Sequence, residues 1–505
     1  MAFNAKAEIM GVASVEMAYA DQFSFAKTTA IINGCPEARL VAVPRTGTGE
    51  ERVNTFYDKI IQALTAPLTA KEKESGIYSP PAPPRVLFEG TYDDAQGFLQ
   101  QTFLTDVCYN CPIAKYTDGL PVIIPTEEKV AEMLTGTSHK GSETLTQPWA
   151  TTRSFGSMGP GSTATRTEVV PAGANITFAN SFTYTVEKVA ICAVMAGCKP
   201  EYMPVALAMA AGGGSITNCP GTSSMVSTIW CVSGPIAKEI GMNAGKNALD
   251  VGNIANMTLG RVGALISINA GACTVGLNRS DSGNPMHSTC FAEDVNALPP
   301  GWEGLNEESS HREKDGTATV KFTKNESIVM KVGGSSIMVG YGDAPASYRQ
   351  LYAGEGALAW RAQDKLGIPR NTPGNYNPIV GIIPAIANTS NGAGAPAGFL
   401  VHPTVADLIY RAGFKTKADF YKWITDVKNY WRTYGQFKDT GFWQHSTDNG
   451  RYIYSVTGKP WSELPNDYRL AMFGSSIIIV SDGFADEHVY TGISRGGASA
   501  IDVWR

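Results

Sequence analysis

At 505 residues, 43% of them hydrophobic, the chain is long enough to bury large cores and to form more than one domain. Its formal net charge of -5 gives no basic footprint for nucleic acid or an anionic membrane surface, so small molecules or proteins are the expected partners. No apolar run approaches the roughly 20 residues that span a bilayer, and nine irregularly spaced cysteines do not make a secreted disulfide framework, so a cytoplasmic chain with mostly reduced thiols is expected.

In chain order, residues 8–70 alternate helix and strand. A helix is expected over 23–32, a short apolar strand over 40–43, and an amphipathic helix over 53–64 with Phe56, Ile60, Ile61 and Leu64 inward. Residues 75–84 (SGIYSPPAPP) read as an extended proline-rich linker and a boundary. Cys108 and Cys111 form the sole CxxC; Pro112 favours a turn after them, and the pair reads as an incidental loop. Short β-rich runs are expected at 264–268, 328–332, 399–401 and 477–480, with no repeat evident. Helices are expected over 405–411 and 417–431, the second exposing Lys417, Lys422 and Lys428 and burying Phe420, Ile424 and Val427. The glycines of 392–398 fit a dinucleotide fingerprint poorly.

Residues 185–211 (TVEKVAICAVMAGCKPEYMPVALAMAA) carry the most information. Apolar residues at three- and four-residue intervals give a buried helix that Gly197 ends, and Pro204 opens a second one. Cys198 lies at the junction, with Lys199 and Glu201 beside it. A neighbouring ammonium or helix end lowers a thiol's pKa, so Cys198 is a candidate nucleophile; a small buried hydrophobe is the competing reading. Cys192, inside the helix, reads as core.

Residues 233–261 form a Gly/Asn-rich connection. Lys238, Asn243, Asn247, Asn256 and Arg261 are candidate ligands for an anion, with Asn256 or Thr258 capping the next helix; alternatively, the asparagines satisfy their own loop. Cys290 and Glu293 follow His287, and strand alternation puts them on opposite faces, so Cys290 is better placed beside another segment such as Cys198. The six histidines show no HxxxH or HExxH spacing, so no metal site is expected and no cofactor is assigned. His402, before Pro403, reads most simply as a surface turn. Ser481, Asp482 and Gly483 mark a strand-to-loop transition of the kind where α/β proteins bind ligands, and the glycines of 494–497 offer another loop.

The stretches DGLPVIIPTE (118–127), TVEKVAICAVMAGCKPEY (185–202), GPIAKEIG (234–241) and CFAE (290–293) together resemble proteins associated with the UGSC family. The resemblance spans residues 30–65 and 116–505. It implies a relation to selenoprotein subunits of glycine, sarcosine and betaine reductases, with thiol or selenol chemistry on small organic molecules. No Cys-Gly-Ser-Cys occurs here, so that motif's redox chemistry is absent.

The resulting expectation is a multidomain α/β protein with mixed sheets. It has a truncated UGSC-like element over 1–74, a linker and insertion over 75–115, and a large domain over 116–505. The favoured function is an enzyme acting on a small anionic organic molecule, with Cys198 or Cys290 as thiol, Glu201 or Glu293 as proton carrier, and Lys238 and Arg261 holding substrate. A non-catalytic subunit for a UGSC-bearing partner and a cysteine-independent hydratase or lyase are the alternatives. A homo- or hetero-oligomer joined through residues 20–65 is expected.

Overall fold

The computed structural model describes residues 7–8, 10–19, 23–32, 34–44, 49–75, 84–105, 111–155, 166–176, 183–212, 229–270, 289–332, 338–340, 397–411, 413–425, 463, 476–483, 489–493 and 497–505. The fold is multidomain and α/β.

An N-terminal element comprises β1 (Glu16–Tyr19), α1 (Phe23–Ile32), β2 (Leu40–Val43), α2 (Gly49–Thr65) and α3 (Ala70–Ser75). β1 and β2 pair in parallel, from Glu16 opposite Leu40 to Tyr19 opposite Val43. Arg39 fastens the end of α2 to α3: its guanidinium meets both oxygens of Glu72 and the carbonyls of Ala63, Ala66 and Pro67. α2 departs from expectation. Phe56, Ile60 and Ala63 are half-buried, whereas Ile61 and Leu64 are exposed with Val53 and Tyr57. The helix has apolar residues on more than one face, and the chain covers only part of them.

α4 (Tyr92–Leu99) starts at an N-cap, Thr91, whose side chain accepts from the Asp94 amide. A hairpin of β3 (Thr102–Thr105) and β4 (Cys111–Ala114) follows. Cys111 stands opposite Thr105 beside the hairpin loop and is disulfide-bonded; Cys108 lies outside the described residues.

The large region supplies α5 (Glu127–Leu134), the hairpin β5 (Thr151–Phe155) and β6 (Arg166–Val170), α6 (Val186–Ala196) and α7 (Met203–Ala211). Thr126 and Thr185 cap α5 and α6. Gly197 ends α6 at φ 88°, a left-handed conformation that glycine adopts without a Cβ penalty. Then come β7 (Ile229–Ser233), α8 (Ile236–Glu239), α9 (Ile254–Asn269), β8 (Thr289–Ala292), β9 (Ser310–Arg312), β10 (Thr319–Lys321), β11 (Ile328–Lys331) and β12 (Met338–Gly340). The last set is β13 (Ala397–Val401), α10 (Pro403–Arg411), α11 (Lys417–Thr425), β14 (Ser476–Val480), β15 (Val489–Ile493) and β16 (Ala498–Ala500). The run 264–268, expected as strand, lies inside α9. Leu259, Val262, Leu265 and Ile266 are buried at helical spacing, and the longer period overrides the short β-rich run.

Two four-stranded sheets have the orders β16-β11-β7-β8 and β12-β15-β13-β14. They are built alike. In each, an inner strand pairs in parallel with the next strand along the chain (β7 with β8, β13 with β14) and antiparallel with a later one (β11, beyond the β9–β10 hairpin, and β15). The outer strand comes from the other half: β16 completes the first sheet and β12 the second. The chain therefore contains two copies of one β-unit that exchange their last strands, a repeat the sequence pattern did not disclose. The edges meet where the Asp294 amide donates to Val480 O.

The first sheet is buried on both faces, which is why β7 reads as an unbroken apolar run. Trp230, Val232, Cys290 and Ala292 pack with α6, α7 and α9, while Cys231, Phe291, Met330, Leu400, Ile477 and Ile479 form a second core shared with the other sheet.

Candidate functional site

Parallel strands leave a crevice beyond their carboxyl ends, where the chain turns away. At β7 and β8 this crevice is a cleft of about 940 Å³. Gly234 and Pro235 leave β7; Glu293 and Asp294 leave β8. Gly234 has φ 111°, and a Cβ there would lie 2.5 Å from Glu326 O, so the turn requires glycine.

A buried charged cluster backs the cleft. Glu293 lines the wall with its side chain fully buried; its Oε2 accepts from Ser233 Oγ (2.7 Å) and the Leu305 amide (2.6 Å). Oε1 lies 3.4 Å from Lys417 Nζ, which also reaches Glu308 at 2.9 Å. Asn306 donates its amide to Ser233 Oγ and its side-chain NH2 to Thr323 O and Glu326 O. Burial alone would lower the Lys417 pKa, but Glu293 and Glu308 hold it above the ordinary lysine value. Lys417 was expected on an exposed helix face. It is instead 2% exposed, because the first turn of α11 faces the two carboxylates.

The thiols are placed differently from the expectation. Cys198 is half-buried against the helical core, and burial pushes its pKa up to about 12, although a hydrogen bond with Thr258 opposes this. Its ammonium neighbour is engaged elsewhere: Lys199 Nζ lies 3.9 Å from the exposed Glu201. Cys290 is buried on the helical face of β8, and burial, with the Cys198 thiol nearby, raises its pKa well above the usual value. The two thiols do neighbour each other, yet they lie on the side of the sheet opposite Glu293. An activated thiol is not what this environment makes. Cys192 is likewise raised to about 12 by burial. At pH 8, iodoacetamide should label Cys198 more slowly than an ordinary free thiol. Mass-spectrometric rates give the check, and labelling at the ordinary rate would restore the thiol reading.

The Gly/Asn connection divides. Asn253, not Asn256 or Thr258, caps α9, its side chain accepting from the Asn256 amide. Asn256 is buried and spends its side chain on its own loop, accepting from the Asn243 amide and donating to Asn243 O and Ala248 O. Asn243 bonds to Lys246 O and the Gly245 amide. Asn247 is exposed at φ 59°, and its amide donates to Asp482 O. Arg261 is a tie within the chain: Nε and Nη2 grip Asp118 at 2.7 and 2.8 Å, and Nη2 also donates to Leu120 O and Pro121 O. Through these contacts the fold itself uses the polar atoms of Asn243, Asn256 and Arg261. Lys238 alone of the five lines the cleft.

Sequence reasoning missed Lys417, Glu308, Ser233 and Asn306, and it misplaced His402. At the carboxyl ends of β13 and β14, His402 is buried, and its Nε2 lies 2.7 Å from Asp482 Oδ1. The strand pairings make Ser233 and His402 equivalent positions of the two units, and likewise Asp294 and Asp482. The glycines of 494–497 lie, apart from Gly497, outside the described residues, as does His287. Among the described residues, no group of three or more His, Cys, Asp or Glu side chains is placed to hold a metal ion, and no helix is long and apolar enough to cross a membrane.

Comparison with known proteins leaves this site to be read from its own geometry. No family model, no curated protein and no solved structure matches the chain.

Proposed function

We propose that the chain is an enzyme acting on a small anionic organic molecule in the cleft at the ends of β7 and β8, through proton transfer at Glu293, as a cysteine-independent lyase or hydratase would. Two lysines on the cleft wall carry this reading. The cleft's carboxylates are each engaged by the chain: Glu239 by Arg505, Glu293 by Lys417, Asp294 by the Asn296 and Ala297 amides, Glu307 by the Gly304 amide. Lys238 and Lys324 also line it, and among the described residues neither ammonium has a partner. These two ammonium groups are the cations an anion in the cleft would meet.

Glu293 is the carboxylate of the cleft wall that Ser233 Oγ, the Leu305 amide and Lys417 hold in place, and this fixed position is what suits it to carry a proton. The expected substrate is a small carboxylate with an exchangeable C–H or a departing hydroxyl.

Succinate, malonate and citrate serve as probes. Lys238→Ala and Lys324→Ala should each weaken binding by about 1.5–3 kcal/mol, roughly ten- to a hundredfold, with the melting temperature unchanged. Calorimetric titration gives the measurement; unchanged affinity in both variants would sink the anion reading.

The UGSC-like resemblance keeps a second reading in play, a subunit supporting a UGSC-bearing partner. What favours it is the N-terminal sheet, which has two strands only among the described residues and leaves Met17 53% exposed. A monomer by light scattering at micromolar concentration, with residues 20–65 protected from hydrogen exchange, would remove it.

A further inference from the structure

A second concavity, of about 600 Å³, lies away from the cleft, between residues 85–92 and the first turns of α5 and α6. Its wall is apolar and open to solvent: Val86 is 42% exposed, Leu87 58% and Tyr92 53%. Phe88 stacks on Phe98 at 5.3 Å, and Phe98 on Tyr116 at 5.1 Å, so a column of three rings forms one side. Exposed apolar surface concentrated in a groove marks an interaction site more often than scattered single residues do.

Two further observations say what fits there. The rim is acidic: Glu89, Glu127, Glu128 and Glu187 line it with one cation, Arg85, and Arg85 is spent between Glu127 and Glu187 at 2.7 Å each. Glu89 has no partner among the described residues. The second observation concerns the backbone. From Val86 to Gly90, no amide or carbonyl is hydrogen-bonded to another described residue, although the segment is fixed at one end by Arg85 and at the other by the Thr91 cap of α4. Unpaired backbone beside apolar pockets is what a peptide uses when it adds as a strand, its main chain supplying the bonds and alternate side chains filling the pockets.

We propose that this groove docks a basic, apolar segment of a partner protein. The segment pairs with the backbone of residues 86–90, sets apolar side chains against Leu87 and Phe88, and directs arginine or lysine toward Glu89 and Glu128. Arginine suits the place best, since its guanidinium both stacks on an aromatic face and pairs with carboxylate.

The full-length chain is titrated into fluorescein-labelled hexapeptides: alternating Leu-Arg, alternating Ser-Arg, and alternating Leu-Glu. The Leu-Arg peptide should bind at least tenfold more tightly than either control. Its affinity should fall at least tenfold in Leu87→Ser and in the Glu89→Lys, Glu128→Lys double variant, each with an unchanged circular-dichroism spectrum. Hydrogen exchange at the amides of 86–90 should slow in the complex. Equal binding of the Leu-Arg and Ser-Arg peptides would reveal bulk charge attraction alone and overturn the proposal. So would no peptide binding, an affinity indifferent to both variants, or protection of the groove by tetraethylammonium in place of the peptide. Leu87→Ser lies outside any helix, so a folding defect in the double variant leaves the test intact.

Discussion

Lys417→Met should be the most damaging single substitution in the described part of the chain, destabilising the region that unfolds with it by about 3–5 kcal/mol. The side chain is 2% exposed and sits between Glu293 and Glu308. Methionine matches its length and keeps the packing, so what is lost is the charge that made two buried carboxylates tolerable. Lys417→Met combined with Glu293→Gln should recover part of the loss, because Glu293 then no longer brings a buried charge. Denaturant midpoints of the three proteins provide the measurement. If the single variant is within about 1 kcal/mol of wild type, Lys417 is not what holds the carboxylates. The pH dependence has a fixed sign. A lysine whose folded pKa is raised gives stability that is fully present below its unfolded value and is lost only as pH rises through the folded value. The Lys417 contribution should therefore persist throughout the neutral range and up to about pH 10, and decline only above the ordinary lysine range.

The same residue shows where sequence reading stopped. In a helix from 417 onward, a lysine at the first position with Phe420 three residues later looks like the solvated edge of an amphipathic helix. Phe420 is indeed buried. Nothing local indicates that Glu293 and Glu308, more than a hundred residues earlier, stand opposite that first turn. Hydrophobic periodicity reports which face is inward, not which polar group waits there. The strands expected at 40–43, 328–332, 399–401 and 477–480, each found within a residue or two of those bounds, and the paired helices around Gly197 were legible because local pattern and burial agree. The run at 264–268 was misread because five β-prone residues weigh less than sixteen at helical spacing. The duplicated β-unit was invisible for a different reason. Its evidence is pairing between distant strands, with β12 and β16 exchanged, and side chains as unlike as Ser233 and His402 occupy equivalent positions. At the site, the carboxyl ends of the strands could be anticipated from the Gly-Pro after β7 and the acidic pair after β8. Cys198 drew attention by its neighbours in sequence, but Lys199 turns toward Glu201, and burial decides the thiol's chemistry.

Arg261→Ala is expected to act on the fold and leave ligand binding alone, the reverse of what an arginine in a polar Gly/Asn loop suggests. The guanidinium bonds to Asp118 through two nitrogens and to the carbonyls of Leu120 and Pro121, with both charged side chains mostly buried. Removing it strands one carboxylate and two carbonyl oxygens, so the expected cost is about 3 kcal/mol, and melting of this region should fall by roughly 6–12 °C. Arg261→Lys should recover less than half of that, since an ammonium cannot reproduce the two-pronged grip on Asp118 while also reaching both carbonyls. Succinate affinity per folded molecule should match wild type in both variants, while Lys238→Ala loses affinity at an unchanged melting temperature. Scanning calorimetry paired with isothermal titration separates the two residues. A variant at Arg261 that melts normally and binds succinate tenfold more weakly would move this arginine back into the binding site. It would also require the Asp118 contact to open when ligand arrives.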